Sequence, residues 1–463
     1  LLLRFCNLIL IYHSIDRKCL RIRRVRSIMS EVYRQYLDKI RSDENVEVIE
    51  QEVDKVYQIG RHLQIWDAKK IVEFKKVKDS VFPLLGNVCA SREMLAISMG
   101  IKIKDIHTHL LEGLNSPIEP IVVDTAPFLE NMDENPNLLK HPVPKFFEED
   151  AGFYYSSGLI ITKGLDTGVH NSSIHRQLII SQNETTARIV PRHLYHNIKV
   201  AESMDKDLPI AVAFGLHPAV ILAASTPTNI SIDEMHVANK MMAEKLTRVK
   251  LPNSGILVPT HAEVVYEGVI LKNRREREGP FVDVTGTLDH IRDEPVLRID
   301  RVYYRNSAHL TTILPSQTEH YTLMGLGREV TIRESVLNVV PEIGNVYLTT
   351  GGAGWLHAVV SFKKQSEGDG KNVIMAAFAG HGSLKWVTVV DLDINVYDPV
   401  EVEWATITRT GHDDIIVIPS ARGSSLDPAM DVDRKVSIKV GIDATKSLYK
   451  SEASYKRIKI PDE

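Results

Sequence analysis

Hydrophobic and polar positions change period along this chain, and the changes divide it. Residues 30–41, SEVYRQYLDKIR, space apolar side chains three and four apart, which predicts a helix with one buried face and Ser30 as its N-cap. The runs VEVIEQEV and IVEFKKV are β-rich, and LLGNVCASREMLAISMG reads as a loop entering a helix. These make a small α/β unit up to about Asn115. Prolines then break the pattern in SPIEPIVVDTAPF and NPNLLKHPVPKFF, which places a boundary near the start of that stretch. From Gly158 to about Tyr304 strands dominate: SGLIITKG, HRQLIISQN, TARIVP, IAVAFGL, AVILAAS, GILVP, AEVVYEGVIL and VLRIDRVYYR. One helix is inserted around IDEMHVANKMMAEKL, with Asn229 or Ser231 as its cap. Short strands with turn signals predict a sheet folded toward a barrel. In the last third, NVYLTT, LHAVVSF, WVTVVDL and DIIVIP alternate with helical segments, as in an open α/β sheet. The fold class expected is α/β, in the α+β multidomain sense. It comprises an N-terminal α/β domain (29–115), a central split β-barrel domain (116–310) and a C-terminal open α/β domain (311–463).

Composition narrows the function classes. With 43% hydrophobic and 25% charged residues over 463 positions, the chain reads as a globular enzyme rather than a disordered or fibrous protein. A formal net charge of -4 with interspersed signs offers no basic face to nucleic acid. Cys6, Cys19 and Cys89 are too few and scattered for a disulfide framework, which points to a reducing cytoplasm. Residues 1–28 differ from the rest: an apolar run too short to span a bilayer precedes a basic one, the reverse of a signal peptide. They are read as a spurious or flexible extension, with a basic peripheral anchor as the alternative.

Candidate chemistry concentrates in two places. The stretch 167–200, TGVHNSSIHRQLIISQNETTARIVPRHLYHNIKV, gathers Asn, His and Arg beside strands. A folded sheet there brings Asn171, Arg176 and His193 together, and Glu234 adds a carboxylate. Amide oxygen, imidazole and carboxylate form a mixed shell suited to manganese or magnesium, with a phosphate oxygen to complete it. Against this, a lone Asn, His or Glu is usually a cap, a satisfied core group or a solvated residue. In the second place, Gly279-Pro280 bends the chain between Glu278 and Asp283, so that the two carboxylates flank a turn. Two carboxylates in different surroundings suit proton transfer, and Arg176 can pair with one or bind a substrate carboxylate. The competing reading is a solvated acidic turn. Three weaker features are Thr349–Gly354, read as a tight strand-to-helix turn, Asp391 with Asp393 at a strand end, and His320 with His381.

The run HPVPKFFEEDAGFYYSSGLIITKGLDTGVHNSSIHR resembles the start of the cofactor domain of UbiD-type decarboxylases. The segments PRHLYHN, AFGLHPAVILAAS, EVVYEG, EGPFVDVTG, LPSQTEHYTLMGLGREVTI, GHGSLKWVTVVDLDIN, VEWATITR, GSSLDP and KVGIDAT follow in that family's order, over nearly everything from Met29 on. The resemblance implies non-oxidative decarboxylation of an unsaturated acid with prenylated FMN, manganese or magnesium, and potassium as an optional companion. It implies that Asn171, His193 and Glu234 ligate the metal, and that Arg176, Glu278 and Asp283 form the catalytic trio, Asp283 returning a proton to carbon. Ser172, Ser173, Ile174, His175, Arg176, Arg192 and Lys385 would contact the cofactor, as would the three metal ligands. The pattern LPSQTEHYTLMGLGRE is similar to the short archaeal and bacterial branch, which includes anhydromevalonate phosphate decarboxylases. A phenolic or 4-hydroxy-3-polyprenylbenzoate acid is the alternative substrate, and a split-barrel FMN oxidoreductase or a non-catalytic flavin-binding subunit the alternative class. Implied partners are a flavin prenyltransferase as cofactor supplier and further copies of the chain, as a homodimer or homohexamer, with no nucleic acid and no membrane span.

Overall fold

A computed structural model describes residues 30–458 and 460; the reading of residues 1–28 lies outside them. Two compact units result. The first holds the described residues up to Ala224, Thr228–Gly279 and Ile291–Ile313; the second holds Ser225–Pro227, Pro280–His290 and the described residues from Leu314 on.

The first helix is Val32–Ser42, one face of which buries Tyr33, Tyr36, Leu37 and Ile40. Its N-cap is Glu31, without a side-chain cap bond, and not Ser30 as the pattern suggested. Strands Val46–Val53 and Ile71–Val77 run parallel, and Leu84–Gly86 lies antiparallel to the latter. A distant strand, Leu310–Thr312, completes this four-stranded sheet beside Leu84–Gly86.

The larger sheet of the first unit has nine strands and curls into a half-barrel, in agreement with the expected mixed α/β architecture. Its spine is the hairpin of Val264–Glu278 and Arg292–Tyr304, whose register shifts between Glu267 and Gly268 and again between Ile270 and Arg275. Such irregularities bend a strand and raise its twist, so a long hairpin curves instead of lying flat. Gly268 is needed at the first shift, because a Cβ there would sit 2.0 Å from the Arg298 carbonyl oxygen. Strand Leu208–Phe214 pairs with Val264–Glu278 on one side and with Leu159–Lys163 on the other, and Leu159–Lys163 pairs with His170–Ile174.

One expected strand is a helix. AVILAAS belongs to the helix Pro218–Ser225, in which Pro218 through Ala224 are all buried. Proline suits a first helical turn and alanine favours helix, while burial on every side erases the periodicity that separates helix from strand. The inserted helix is Glu234–Met241, and Asp233 caps it, not Asn229 or Ser231.

The second unit is built on a five-stranded sheet in the order Ile343–Leu348, His357–Phe362, Trp386–Asp391, Val436–Ala444, Ile415–Arg422. The three inner strands run parallel and are mostly buried, the pattern expected when both faces are covered. Ile332, Val336, Val373, Ile374 and Phe378, from helices Thr318–Leu337 and Asp369–Gly380, pack in one apolar cluster, and Val402 and Ala405 of helix Pro399–Arg409 in another. Each fully buried aliphatic side chain of this kind contributes about 1.5–3 kcal/mol. Thr349–Gly354 joins two antiparallel strands through a 3-10 turn, so the expected entry into a helix is corrected: the chain reverses at Gly354, with φ 61°, and re-enters the sheet at His357.

Candidate functional site

Strand pairing sets up the site. In His170–Ile174 alternate side chains face opposite ways, so Asn171 and Ser173 share one face. Asn171 Nδ2 donates to Glu234 Oε1 at 3.2 Å, the Ser172 N–H donates to Glu234 Oε2 at 2.8 Å, and Thr228 Oγ1 donates to Glu234 Oε1 at 2.8 Å. His193, the first residue of helix His193–Ser203, brings Nδ1 to 3.7 Å from the same Oε1. The three expected ligands therefore converge although 63 positions separate Asn171 from Glu234.

Charge balance at Glu234 is unusual. The residue is 3% exposed, yet its hydrogen-bond donors are an amide, a backbone N–H and a hydroxyl, and no lysine or arginine pairs with it among the described residues. A buried carboxylate held by neutral donors keeps a demand for positive charge. Ser172 Oγ is buried nearby without a hydrogen-bond partner. Exposed Arg192, the N-cap residue of the His193–Ser203 helix, forms no ion pair among the described residues. Among these residues no group of three His, Cys, Asp or Glu converges as a metal site; this cluster has two, completed by an amide. That donor set fits a hard divalent cation, and a cation at Arg192 fits an anionic cofactor group.

A second group lies in the same sheet. Arg176 holds Glu278 by two bonds, Nε to Oε1 and Nη2 to Oε2, each 2.8 Å, with side-chain exposures of 8% and 0%. His175 Nδ1 lies 2.9 Å from the Arg188 carbonyl oxygen, which can only accept, so Nδ1 carries the proton and Nε2 accepts from Ser173 Oγ at 2.9 Å. Burial pushes the His175 imidazole down to about 4, in keeping with that neutral tautomer. Ile174 is the half-buried last residue of the His170–Ile174 strand.

Sequence reasoning missed four residues here. Tyr154 is fully buried, and burial, followed by the Glu278 charge, raises its phenol far above the ordinary value. Arg188 Nη1 donates to Glu294 Oε1 at 2.8 Å, and the Ile189 N–H to Glu294 Oε2 at 3.3 Å. Burial raises the Glu294 carboxyl, Arg188 opposes that, and Glu278 adds to it. The missing signal was register: Glu294 lies opposite Glu276, two residues from Glu278 on a strand with period two, visible only once the hairpin is aligned. Thr228 carried no pattern at all.

Asp283 and Lys385 belong to the second unit. Asp283 opens the turn between the short strands Phe281–Val282 and Leu288–Asp289, and its Oδ1 accepts from the Val284 N–H at 2.6 Å. Lys385 Nζ donates to Asp427 Oδ1 at 2.9 Å. Asp391 and Asp393 are bound by Arg409 and Lys446; His381 Nε2 lies 3.2 Å from the Trp355 carbonyl oxygen, and His320 Nδ1 accepts from the Ser316 N–H at 3.3 Å.

The chain matches the 3-octaprenyl-4-hydroxybenzoate carboxy-lyase N-terminal domain over residues 37–114, the Rift-related domain over 121–318 and the C-terminal domain over 321–444. It belongs to the UbiD family. Among its UbiD relatives is the anhydromevalonate phosphate decarboxylase of Methanothermobacter thermautotrophicus, 43% identical over 421 residues, which cover 90% of this chain and 98% of that protein. The protein of the same description from Methanocaldococcus jannaschii is 40% identical over 419 residues, with 90% and 97% covered. The solved structure of the UbiD-class enzyme HmfF from Pelotomaculum thermopropionicum in complex with FMN superposes with a TM-score of 0.90 at 35% identity, over 93% of this chain and 97% of that one. UbiD membership makes the chain a carboxy-lyase. Among the described residues no helix is long and apolar enough to cross a membrane.

Proposed function

We propose that this UbiD-family chain converts anhydromevalonate 5-phosphate to isopentenyl phosphate and CO2, using prenylated FMN bound through manganese or magnesium. The relatives named for that reaction, at 43% and 40% identity over nearly their full lengths, support the substrate. The buried Glu234 carboxylate, held by neutral donors beside Asn171 and His193, carries the metal reading.

In this reading Asn171, His193 and Glu234 hold the divalent ion, and Ser172, Ser173, Ile174, His175, Arg192 and Lys385 hold the flavin. The bound cofactor supplies an electron sink for the pair left behind when the carbon–carboxylate bond breaks. Arg176 provides fixed positive charge for the departing carboxylate and keeps Glu278 in one orientation through its paired bonds. His175, protonated on Nδ1, offers an acceptor nitrogen to Ser173 and adds no charge of its own. Asp283 returns a proton to carbon. The division at residues 115 and 310, the self-assembly, the cytoplasmic location, the prenyltransferase as cofactor supplier and potassium as an optional ion belong to the same reading.

The test is co-expression with a flavin prenyltransferase, an absorbance spectrum of the purified protein, and an anaerobic assay for CO2 and isopentenyl phosphate. Turnover of anhydromevalonate phosphate, lost on EDTA treatment and restored by MnCl2, is expected. Turnover of a phenolic acid alone would replace the substrate. NAD(P)H oxidation by protein carrying plain FMN, without CO2 release from any unsaturated acid, would overturn the lyase reading.

A further inference from the structure

Glu234 stands at the start of an eight-residue helix, Glu234–Met241, too short to hold its own position in water. Its far end is tied by Asn239, whose Nδ2 donates to the carbonyls of Ile118 and Glu119 at 3.1 and 3.3 Å and whose Oδ1 accepts from the Leu246 N–H at 3.1 Å. The near end depends on Asp233. Its Oδ1 caps the helix by accepting from the Met235 N–H at 2.9 Å, and its Oδ2 accepts from Arg248 Nη1 at 2.5 Å. Arg248, on strand Thr247–Lys250, is 1% exposed; its Nη2 lies 3.3 Å from His236 Nε2, and its Nε has no hydrogen-bond partner.

A guanidinium costs several kcal/mol to bury, and a neutral cap would hold the helix as well, so the cap alone does not account for the charge. Its effect is on two adjacent carboxylates. Asp233 and Glu234 are both buried, at 5% and 3% exposure; Arg248 neutralises the first, and the second meets only neutral donors and His193. We infer that Arg248 is a positioning residue of the candidate metal site, pinning Asp233 so that the helix presents Glu234 with its charge uncompensated.

This rests on the metal reading of Asn171, His193 and Glu234, and binding tests it without turnover. The affinity of the full chain for FMN is measured by fluorescence quenching with and without MnCl2, and the ratio of the two affinities is the readout. A purely structural role would lower both affinities, or the melting temperature, and leave the ratio alone. Asp233→Asn retains a good cap acceptor but loses the ion pair with Arg248 that pins the helix start; the ratio is expected to fall by about tenfold or more, as when groups behind metal ligands are removed. Arg248→Met is expected to match it, and Arg248→Lys, which keeps charge but not the planar fork, to fall between. If Arg248→Met does not fold, the other two variants carry the test. A ratio within about threefold of wild type in both Asp233→Asn and Arg248→Lys would sink the Arg248 role alone. Wild-type FMN affinity that ignores MnCl2 would sink the metal reading with it.

Discussion

Two carboxylate clusters, one in each unit, differ in what surrounds them: Asp391 with Asp393, and Glu234 with Asn171 and His193. Around Asp391 and Asp393, Arg409 donates to both carboxylates at 2.6 and 3.0 Å, and Lys446 reaches Asp393 at 2.7 Å. Burial raises the Asp391 carboxyl, whereas at Asp393 the bonds from Arg409 and Lys446 outweigh burial and lower it. Two cations meet two anions, which leaves nothing for an ion to do. Around Glu234 the donors are neutral, and the neighbouring Asp233 takes the Arg248 ion pair. Carboxylate density did not distinguish a structural ion cluster from a candidate site; the charge of the donors did.

Four experiments press on this contrast. The largest effect is expected at Arg176, the arginine of the candidate site. Arg176→Lys keeps the charge but loses the paired geometry to Glu278, and kcat for decarboxylation should fall about a hundredfold or more; turnover near wild type would remove Arg176 from catalysis. Next, Arg409→Met should cost about 3 kcal/mol in urea unfolding by stranding the mostly buried Asp391 while Lys446 still holds Asp393, with Mn2+-dependent FMN affinity untouched. Loss of that affinity would mean the two clusters do not differ as argued.

Glu234→Gln makes the reverse case. Mn2+-dependent FMN affinity should drop about 10- to 100-fold, while the metal-free protein loses no more than about 1–2 kcal/mol because no cation is stranded. The smallest effect concerns pH. His175 is depressed to about 4 from an ordinary 6.5, so its contribution to stability is complete above pH 6.5 and is lost as pH falls toward 4. Asp393, lowered from 3.8, keeps its contribution until pH falls through that lower value. Amide exchange at pH 7 and pH 5 should therefore show protection falling around 170–190 before 386–446. Equal loss in both segments would contradict the assignment.

What the sequence disclosed follows from where the information lies. Helices with a dry stripe declare themselves by period and short strands by β-branched and aromatic residues, which is why Val32–Ser42 and Ile71–Val77 were expected where they occur. The buried helix Pro218–Ser225 has no such contrast and was taken for a strand. Caps failed similarly: Ser, Asn and Asp compete for one role, and at Glu234–Met241 the cap is Asp233, which directly precedes the first helical residue and also pairs with Arg248 on a strand 15 residues away. Ser30 lost to Glu31 with no side-chain bond involved.

Family membership and the mixed α/β architecture were determined by the sequence alone, since collinear motifs survive in the order of residues. The meeting of Asn171 with Glu234 across 63 positions, the pairing of Arg176 with Glu278 across 102, and the place of Glu294 beside them were decided by tertiary structure. Such contacts depend on strand register and burial, which no local window encodes, and the charge left on a carboxylate depends on every neighbour the fold brings to it.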